Sequence, residues 1–396
     1  MRYCYDLLGD LAEEKFVLVS GPRQAGKTTL AQSWATAKRG EYLNWDTPRD
    51  REKIRRILAQ SLATTEHLVL DEIHKHARWK QNLKGFFDHQ KDSLHPCHVV
   101  VTGSARLDTY RRGGDSLLGR YNQIRLHPFS VGEVMRDSGS APAPPVGPQW
   151  TEAGHPSTDS RHLWETLRRF SGFPEPFTVA NQNHHSRWRL RRRDLVLRED
   201  IRDISQVRQL SLVEDLALLL PERVGSLLSL NSLREDLGVA FDTVKSWIDV
   251  LERLYYCYRL RPFSAKLARS LTKEAKLYLW DWTEIADPGP RFENMVGSHL
   301  LKAVHFWRDA GFGDYDLQYW RDKEKREVDF VVLLDRKPVA AIECKLSDTN
   351  FSPGLLRFKE HFPSVPAILL VETEGVEKKR GDTLVATAAD WLHRLP

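Results

Sequence analysis

Short apolar runs alternate with segments of helical length in the first third of the chain. Each run is too short for a helix and ends in polar or glycine-containing sequence, as expected of a buried strand. Strands that alternate with helices predict a parallel sheet with helices on both faces. The predicted strands are Phe16–Ser20, Glu41–Asp46, His67–Ile73, His98–Ser104 and Gln123–His127.

The middle of the chain follows a helical pattern after a proline-rich stretch. Residues 138–160 contain too many prolines for a helix or a central strand, so they predict a linker or an exposed loop. Apolar residues then recur at helical spacing through Arg161–Gln209. Farther on, Leu230–Leu237 and an apolar stripe at Val244–Leu254 flank Gly238, which indicates two helices joined by a short turn.

A hairpin and a second α/β pattern complete the chain. Tyr255–Leu260 and Leu277–Trp280 resemble strands and are joined by a basic loop, as in the wing of a winged helix. The last section predicts a separate unit. Its predicted elements are a helix at Arg291–Phe306 and strands at Val328–Leu334, Pro338–Lys345 and Ala367–Val371.

Composition narrows the class of protein. A chain of 396 residues predicts two or three domains, and 41% hydrophobic residues exclude global disorder. The net charge of +5 is compatible with nucleic acid without requiring it. Four scattered cysteines indicate reduced thiols, and no apolar run approaches the roughly 18 residues of a membrane span. We therefore expect a soluble, cytoplasmic protein with no membrane contact.

The first predicted strand runs into a glycine-rich turn and then a helix. Backbone N–H groups approach a phosphate closely only where glycine leaves room, and a helix N-terminus adds a favourable dipole. Lys27 is expected to reach the β- and γ-phosphates of ATP, and the hydroxyl of Thr28 to bind Mg²⁺. The predicted nucleotide-binding residues are Gly21, Pro22, Arg23, Gln24, Ala25, Gly26, Lys27, Thr28, Thr29 and Asp71.

Polar residues at two further strand ends complete this predicted site. Asp71 ends an apolar run and is a candidate Mg²⁺ ligand, and Glu72 is a candidate base that activates water. Ser104 ends another run, where it either senses the γ-phosphate or caps the next helix. The carboxyl ends of neighbouring parallel strands are where open α/β sheets bind ligands.

These motifs resemble a prokaryotic family of AAA+ ATPases whose C-terminal domain was historically of unknown function. The resemblance also includes Val101–Arg106, Leu118–Arg120, Leu126–Phe129, Gly172–Phe177 and Ala268–Leu271, so it covers nearly the whole chain. It implies ATP and Mg²⁺ as cofactors and self-association into a ring or another oligomer. Arg120 is the first candidate for an arginine that acts across a subunit interface, and Arg106 is the second.

Acidic residues on two adjacent predicted strands suggest a second site. Two carboxylates on neighbouring strands can share a divalent metal, and a Glu-x-Lys spacing places glutamate and lysine on one strand face. The arrangement resembles the PD-(D/E)xK restriction-endonuclease-like superfamily. That resemblance implies Glu293, Asp329 and Glu343 as metal ligands, with Glu343 and Lys345 as catalytic residues. Such a domain either cleaves DNA, binds it without cleavage, or only oligomerises.

Basic residues offer contacts for nucleic acid in two places. Arg187–Arg193 is either a phosphate-binding segment or the exposed face of a helix. The wing is the better candidate for contacting nucleic acid, because the helix before it carries Lys245 together with several acidic residues. Its basic residues are Arg259, Arg261, Lys266, Arg269, Lys273 and Lys276, and its aromatic residues Tyr256, Tyr258 and Phe263 either stack on bases or belong to the core.

The sequence therefore predicts a multidomain α/β protein. The predicted domains are an AAA+ P-loop core at 1–137, a proline-rich linker at 138–160, a helical lid at 161–209, a winged helix-turn-helix at 210–284 and a restriction-endonuclease-like domain at 285–396. We expect Mg²⁺-dependent ATP hydrolysis coupled to the binding or remodelling of DNA, with branched or single-stranded DNA as candidate substrates and the C-terminal domain as a candidate for metal-dependent DNA cleavage. The rival hypothesis is a nucleotide-controlled oligomeric switch that binds a protein partner and does not cleave DNA.

Overall fold

The computed structural model describes residues 1–90, 96–103, 117, 119–136, 139–154, 158–201, 209–264 and 274–396. Contacts between residues divide the chain into two units. Unit 1 comprises Met1–Pro128 with Ser138–Ser140, and unit 2 comprises Phe129–Asp137 with Ala141–Pro396.

Unit 1 contains the parallel sheet that the apolar runs predict. Its strands lie in the order β2-β3-β4-β1-β5, and every pairing is parallel. The strands are β1 (Phe16–Ser20), β2 (Glu41–Asn44), β3 (His67–Asp71), β4 (His98–Thr102) and β5 (Tyr121–Arg125). Strand β1 lies between β4 and β5 and is buried along its length, which explains its uninterrupted apolar sequence.

Strand boundaries differ from the prediction where the chain turns. Strand β3 ends at Asp71 because Glu72 has a left-handed backbone, with φ of 56°, and a 3₁₀ turn follows at Ile73–Lys75. Strand β5 begins two residues earlier than predicted, at Tyr121. Edge strands retain polar residues, so their ends carry a weaker apolar signal.

Helices and a shared apolar core surround this sheet. The helices are α1 (Tyr5–Glu14), α2 (Lys27–Ala37), α3 (Pro48–Gln60) and α4 (Trp79–Gln90). Helix α3 begins with proline in its first turn, where the missing N–H costs nothing. One core cluster joins Phe16 and Leu18 of β1 to Ile54 of α3 and Phe86 of α4.

Unit 2 begins with helices. They are α5 (Val131–Met135), α6 (Thr158–Phe170), α7 (Pro174–Val179), α8 (Gln182–Asp194) with a π-helical continuation at Leu195–Asp200, α9 (Leu210–Leu219), α10 (Leu230–Leu237) and α11 (Phe241–Arg253). Short 3₁₀ helices lie at Gly147–Thr151, Leu220–Arg223 and Trp282–Glu284. Gly238 ends α10 with φ of 65°, as expected of a glycine C-cap, and α11 follows directly.

A hairpin follows α11, as the sequence predicts. It consists of β6 (Cys257–Leu260) and β7 (Lys276–Leu279), paired antiparallel. The predicted helix pair and hairpin are therefore present. Their assignment to a winged helix, and that of the preceding helices to a lid, stay predictions.

A mixed six-stranded sheet completes unit 2, in the order β12-β13-β11-β10-β9-β8. Its elements are α12 (Pro288–Asp309), β8 (Tyr315–Arg321), β9 (Glu327–Leu334), β10 (Lys337–Lys345), α13 (Pro353–His361), β11 (Ala367–Val371), β12 (Glu377–Arg380), β13 (Thr383–Thr387) and α14 (Ala388–Leu392). The sequence patterns missed β8, β12 and β13. The edge strand β12 is exposed throughout, and β13 continues directly into the alanine-rich α14.

The segment that contains α5 packs within unit 2. Phe129 donates its N–H to the carbonyl of Gly172 at 2.6 Å. Lys302 of α12 forms a buried ion pair with Glu133 and donates to the hydroxyl of Ser130 at 2.8 Å. Among the described residues, no helix combines the length and apolarity that a membrane span needs.

Candidate functional site

The glycine-rich turn of unit 1 joins the end of β1 to the start of α2. Gly21 has φ of 143°, and a Cβ atom there would lie 2.2 Å from the carbonyl oxygen of Leu126, so only glycine fits. Gly26 precedes α2 with φ of 93° and offers no side chain to cap it. The first-turn N–H groups of α2 are therefore open to an anion, which the helix dipole favours.

Two cations contact the carbonyl groups of this turn. The ammonium of Lys27 donates to the carbonyls of Gly21 at 2.9 Å and Pro22 at 2.8 Å, and its side chain is buried. Arg2 donates to the carbonyl of Ala25 at 2.5 Å. The sequence prediction missed Arg2, because nothing in the local pattern of the N-terminus connects it to the turn.

Three hydroxyl groups converge on the buried carboxylate of Asp71. Thr28 donates to its Oδ2 at 2.9 Å and Tyr42 donates to the same atom at 2.5 Å. Thr102 donates to Oδ1, since β3 and β4 pair Asp71 with Thr102. Burial, together with the hydrogen bond to Asp71 and its charge, raises the pKa of Tyr42. Hydroxyl and carboxylate oxygens are ligands that suit Mg²⁺, so Thr28 and Asp71 fit their predicted role.

Glu72 lies at the turn immediately after β3. Its Oε2 is 3.5 Å from the ammonium of Lys75 and 3.5 Å from Nε2 of His74. Burial raises the pKa of Glu72 and the charge of Asp71 adds to this, although Lys75 and Lys27 act in the opposite direction. A carboxylate with a raised pKa is a better proton acceptor, which suits the predicted base.

Four further residues of the predicted nucleotide site are Ser104, Arg106, Thr29 and Arg120. Ser104 and Arg106 lie outside the described residues. Thr29 is exposed in the first turn of α2. Arg120 makes a two-pronged contact with Asp88 of α4, through Nε at 2.7 Å and Nη2 at 3.1 Å. Arg120 would have to leave Asp88 to act on another subunit.

In unit 2, three carboxylates surround one buried lysine, and we call Glu293, Glu327 and Asp329 the acidic cluster. The ammonium of Lys276 lies 3.2 Å from Glu293, 2.5 Å from Glu327 and 3.3 Å from Asp329. Burial by itself lowers the pKa of Lys276. The three carboxylates Asp329, Glu293 and Glu327 outweigh this effect and raise the pKa of Lys276 well above its ordinary value. Tyr278 donates to Glu293 at 2.7 Å, and burial and Asp329 raise the pKa of Glu293 to about 7.

The other two predicted nuclease residues have separate partners. Glu343 accepts a hydrogen bond from the hydroxyl of Ser352 at 2.7 Å, and burial raises its pKa to about 7. Lys345 donates to Asp348 at 2.9 Å and to the carbonyl of Asn350 at 2.8 Å. The cation that contacts all three carboxylates of the acidic cluster is Lys276 of β7, which the sequence assigned to the wing, and Arg321 contacts Glu327 as well, at 3.0 Å. The sequence offered one signal of this role, because Lys276 begins β7, a strand that is otherwise made of apolar and aromatic residues.

A different set of residues meets the spacing of a compact metal site. Among the described residues, Glu66, His67 and His98 form such a group. Their ligand atoms all lie within 4.8 Å of one another. Glu293, Asp329 and Glu343 do not meet that spacing. His67 and His98 are paired residues of β3 and β4 and lie at the opposite ends of those strands from Asp71 and Thr102.

In the described part of the wing, Arg261 is exposed, whereas Arg259 and Lys276 are held by carboxylates. Arg259 forms ion pairs with Asp249 at 2.6 Å and with Glu252, and Lys276 is buried. Lys266, Arg269 and Lys273 lie outside the described residues. Tyr256, Tyr258 and Phe263 are buried, so they belong to the core rather than to a surface on which bases stack.

Three family models match this chain. Residues 13–135 match an AAA domain. These residues are therefore similar to AAA domains. Its P-loop, Asp71 and parallel sheet lie within the matched residues, which confirms the predicted α/β P-loop fold of the AAA+ type. Residues 161–283 and 288–391 match two domains of unknown function, DUF8612 and DUF4143, so the nuclease-like assignment stays a prediction.

Relatives and solved structures add little about function. Uncharacterized proteins of Mycobacterium tuberculosis and Mycobacterium bovis are each 22% identical over 387 residues, which are 95% of this chain and 80% of the relative. The RuvB Holliday junction branch migration motor of Thermotoga maritima is 18% identical, with a TM-score of 0.30 over 64% of this chain and 87% of that one. The ORC1 protein of Aeropyrum pernix, solved with DNA, is 15% identical, with a TM-score of 0.33 over 75% and 93%. TM-scores this low carry no weight in assigning the function.

Proposed function

We propose that unit 1 hydrolyses ATP with Mg²⁺ at the turn between β1 and α2. The observation that carries this proposal is the 2.9 Å hydrogen bond between the Thr28 hydroxyl and Asp71, beside the N-terminus of α2. It brings together an anion-binding helix end and two oxygen ligands for a hard cation. The match of residues 13–135 to an AAA domain supports the same activity.

Each residue of this site has a chemical task in the proposed reaction. The N–H groups at the start of α2 bind phosphate oxygens. The ammonium of Lys27 releases its hydrogen bonds to the carbonyls of Gly21 and Pro22 and contacts the transferred phosphoryl group instead. Thr28 and Asp71 hold Mg²⁺, which when bound neutralises charge that develops on the phosphates. Glu72 accepts a proton from the attacking water. Arg120 of a neighbouring subunit is the proposed source of further positive charge.

Separate variants test binding and turnover. Lys27→Ala is expected to abolish nucleotide binding, whereas Glu72→Gln is expected to bind ATP normally and lose turnover. Lys38→Ala is the matched control, since Lys38 follows the last residue of the same helix and is exposed. Binding of a fluorescent ATP analogue and release of phosphate are the two measurements. Turnover that persists in Glu72→Gln would remove Glu72 from the mechanism.

We further propose that this ATP hydrolysis is coupled to DNA. The support is the basic segment Arg187–Arg193 in α8, in which Arg187 and Arg191 are exposed and Arg192 is buried. Duplex, single-stranded and forked DNA are each expected to be retained by the protein at low salt and at least one to change the rate of ATP hydrolysis. If none does so while ATP still drives assembly, the oligomeric switch with a protein partner is the better proposal.

Metal-dependent cleavage of DNA is a second candidate, favoured by the convergence of Glu293 and Asp329. Both carboxylates also contact Lys276, so a divalent cation that binds between them has to displace that ammonium. Cleavage that depends on Mg²⁺ or Mn²⁺ is expected to vanish in Lys345→Ala while ATP hydrolysis continues. Cleavage that persists in this variant excludes the assigned role of Lys345, and its absence from the unaltered protein excludes the nuclease.

A further inference from the structure

A small cleft in unit 2 is lined by arginines from three different helices. Arg169 lies at the end of α6, Arg189 in α8 and Arg291 in the first turn of α12. Gln182 and Ser186 of α8 also line the cleft, whose volume is about 190 Å³. Pockets for drug-sized ligands measure about 300–1,000 Å³, so this cleft suits a smaller group.

Neutral partners hold the three guanidinium groups in place. Arg189 donates to the carbonyl of Thr283 at 3.1 Å, and Arg169 donates to the side-chain oxygen of Gln182 at 3.3 Å. Arg291 donates to the carbonyls of Ile285 at 2.7 Å and Ala286 at 3.3 Å. These contacts fix the direction of each cation without neutralising it.

Neighbouring arginines are neutralised, whereas these three are not. Arg168 lies 3.3 Å from Glu165 and 3.4 Å from Glu372, and Arg192 lies 3.8 Å from Glu284. Within the described part of the chain, no carboxylate comes within 4.0 Å of the guanidinium nitrogens of Arg169, Arg189 or Arg291. The cleft therefore gathers three guanidinium groups, while the carboxylates that act on them, such as Glu284 on Arg189 and Glu372 on Arg291, lie beyond ion-pair distance.

The surroundings of Arg291 reflect this excess of positive charge. Burial, Arg168 and Arg189 lower the pKa of Arg291, and the acidic groups that face it, Glu372 and Asp281, do not reverse this. The carboxylate of Asp281 instead accepts hydrogen bonds from the N–H and hydroxyl of Thr283, at 3.1 Å and 2.7 Å. A cluster of like charges held in fixed positions is stabilised by an anion that enters between them.

We propose that this cleft binds a phosphate group, supplied by the backbone of a nucleic acid. Guanidinium groups match the geometry of phosphate oxygens and form charge-assisted hydrogen bonds with them. The amide of Gln182 and the hydroxyl of Ser186 are further polar groups at the cleft. The nucleic-acid source rests on the DNA-coupled function proposed above, whereas the phosphate chemistry rests on the cleft alone.

The test compares a double variant of the cleft with a matched variant outside it. Arg169→Gln/Arg189→Gln removes two charges that line the cleft, and Arg169→Gln alone is the milder form because Arg169 is exposed. Arg308→Gln is the control, since it removes an exposed arginine of α12, the helix that carries Arg291, and does not line the cleft. Circular dichroism and thermal melting verify that each variant is folded.

Binding of fluorescein-labelled duplex DNA is measured over a range of salt concentrations. The double variant is expected to bind at least about tenfold more weakly, and the slope of log K against log salt is expected to fall by about two. Arg308→Gln is expected to weaken binding by less than about threefold. If the double variant binds as tightly as Arg308→Gln, the cleft proposal is overturned while the DNA-coupled function stands.

Pyrophosphate binding in a Lys27→Ala background separates the two sources of phosphate. If the protein binds no DNA, but pyrophosphate binds and is lost in the double variant, the phosphate site stands with a free phosphate ligand and the DNA-coupled function fails. If neither DNA nor pyrophosphate binding depends on Arg169 and Arg189, the cleft is not a phosphate site.

Discussion

Gly21 is a residue for which the backbone and the surroundings both require glycine. Its φ of 143° strains any other residue, and a Cβ atom would lie 2.2 Å from the backbone oxygen of Leu126. We expect Gly21→Ala to destabilise unit 1 by at least about 2 kcal/mol, because the strain is added to a steric clash with the backbone of Leu126, just after β5. It should also abolish ATP binding, since the turn can no longer keep its shape.

The matched control for this substitution is Gly9→Ala in α1. A Cβ atom there meets nothing within 4 Å, and the residue is inside a helix. Alanine is expected to leave ATP binding unchanged and to stabilise the helix by up to about 1 kcal/mol. Thermal melting and binding of a fluorescent ATP analogue measure both effects. Equal behaviour of the two variants would show that the turn tolerates a side chain at Gly21.

Glu343 makes the stability of unit 2 depend on pH. Burial raises its pKa from the ordinary 4.5 to about 7, so the folded state holds its proton more tightly than the unfolded state does. This contribution to the free energy of unfolding is complete below about pH 4.5, decreases as the pH rises and is lost above about pH 7. It amounts to at most about 3 kcal/mol. Glu343→Gln is therefore expected to be more stable than the unaltered protein at pH 8 and to show less decline between pH 5 and pH 8.

The control for the pH experiment is Glu360→Gln. The hydrogen bond from Arg357 lowers the pKa of Glu360, so this residue contributes a pH dependence of the opposite sign. Melting temperatures at pH 5 and pH 8 are compared for both variants and the unaltered protein. A decline in Glu343→Gln as steep as that of the unaltered protein contradicts the prediction.

At the scale of elements, β7 brings a lysine into an acidic site built by α12 and β9. Lys276→Met leaves Glu293, Glu327 and Asp329 without their shared cation, and the loss of one partner of a buried ion pair costs about 3–5 kcal/mol. We expect the melting temperature of unit 2 to fall accordingly. Lys345→Met is the control, because the ion pair of Lys345 with Asp348 is exposed and contributes at most about 1 kcal/mol.

The same variant distinguishes two interpretations of the acidic cluster. If Lys276 substitutes for a metal, Mn²⁺ is expected to raise the melting temperature of Lys276→Met and to leave that of the unaltered protein unchanged. The reason is that the variant offers vacant carboxylates, whereas the ammonium occupies them in the unaltered protein. Stabilisation of the unaltered protein by Mn²⁺ would show instead that the cation displaces Lys276.

For the whole molecule, the structure groups Phe129–Asp137 with unit 2 rather than with the sheet that precedes it. Glu133 and Ser130 are the partners of the buried Lys302, and Arg136 donates to the carbonyl of Leu395 at 2.6 Å. A fragment 129–396 is therefore expected to fold more stably than a fragment 141–396. Without Glu133, Lys302 loses the carboxylate of a buried ion pair, and the loss of one partner of such a pair costs about 3–5 kcal/mol.

Thermal melting of the two fragments tests this prediction. Lys302→Met in the shorter fragment is the control, since it removes the buried charge that has lost Glu133 and should recover part of the lost stability. Equal stability of 129–396 and 141–396 would show that the segment contributes nothing to unit 2.

The sequence by itself determined the features that depend on neighbours along the chain. The apolar runs predicted the five strands of unit 1, and glycine spacing predicted the turn before α2, because periodicity and backbone freedom are local properties. Strand ends also brought Asp71 and Thr28 together as predicted, since parallel strands end at the same edge of a sheet.

The tertiary structure alone decided which distant side chains meet. Tyr42 donates to Asp71 only because β2 pairs with β3, and Lys276 reaches the acidic cluster only because the hairpin lies against α12 and β9. The cleft joins Arg169 and Arg189 to Arg291, which lies far from them in sequence. Electrostatic contacts depend on distance in space, and a residue pattern records only distance along the chain.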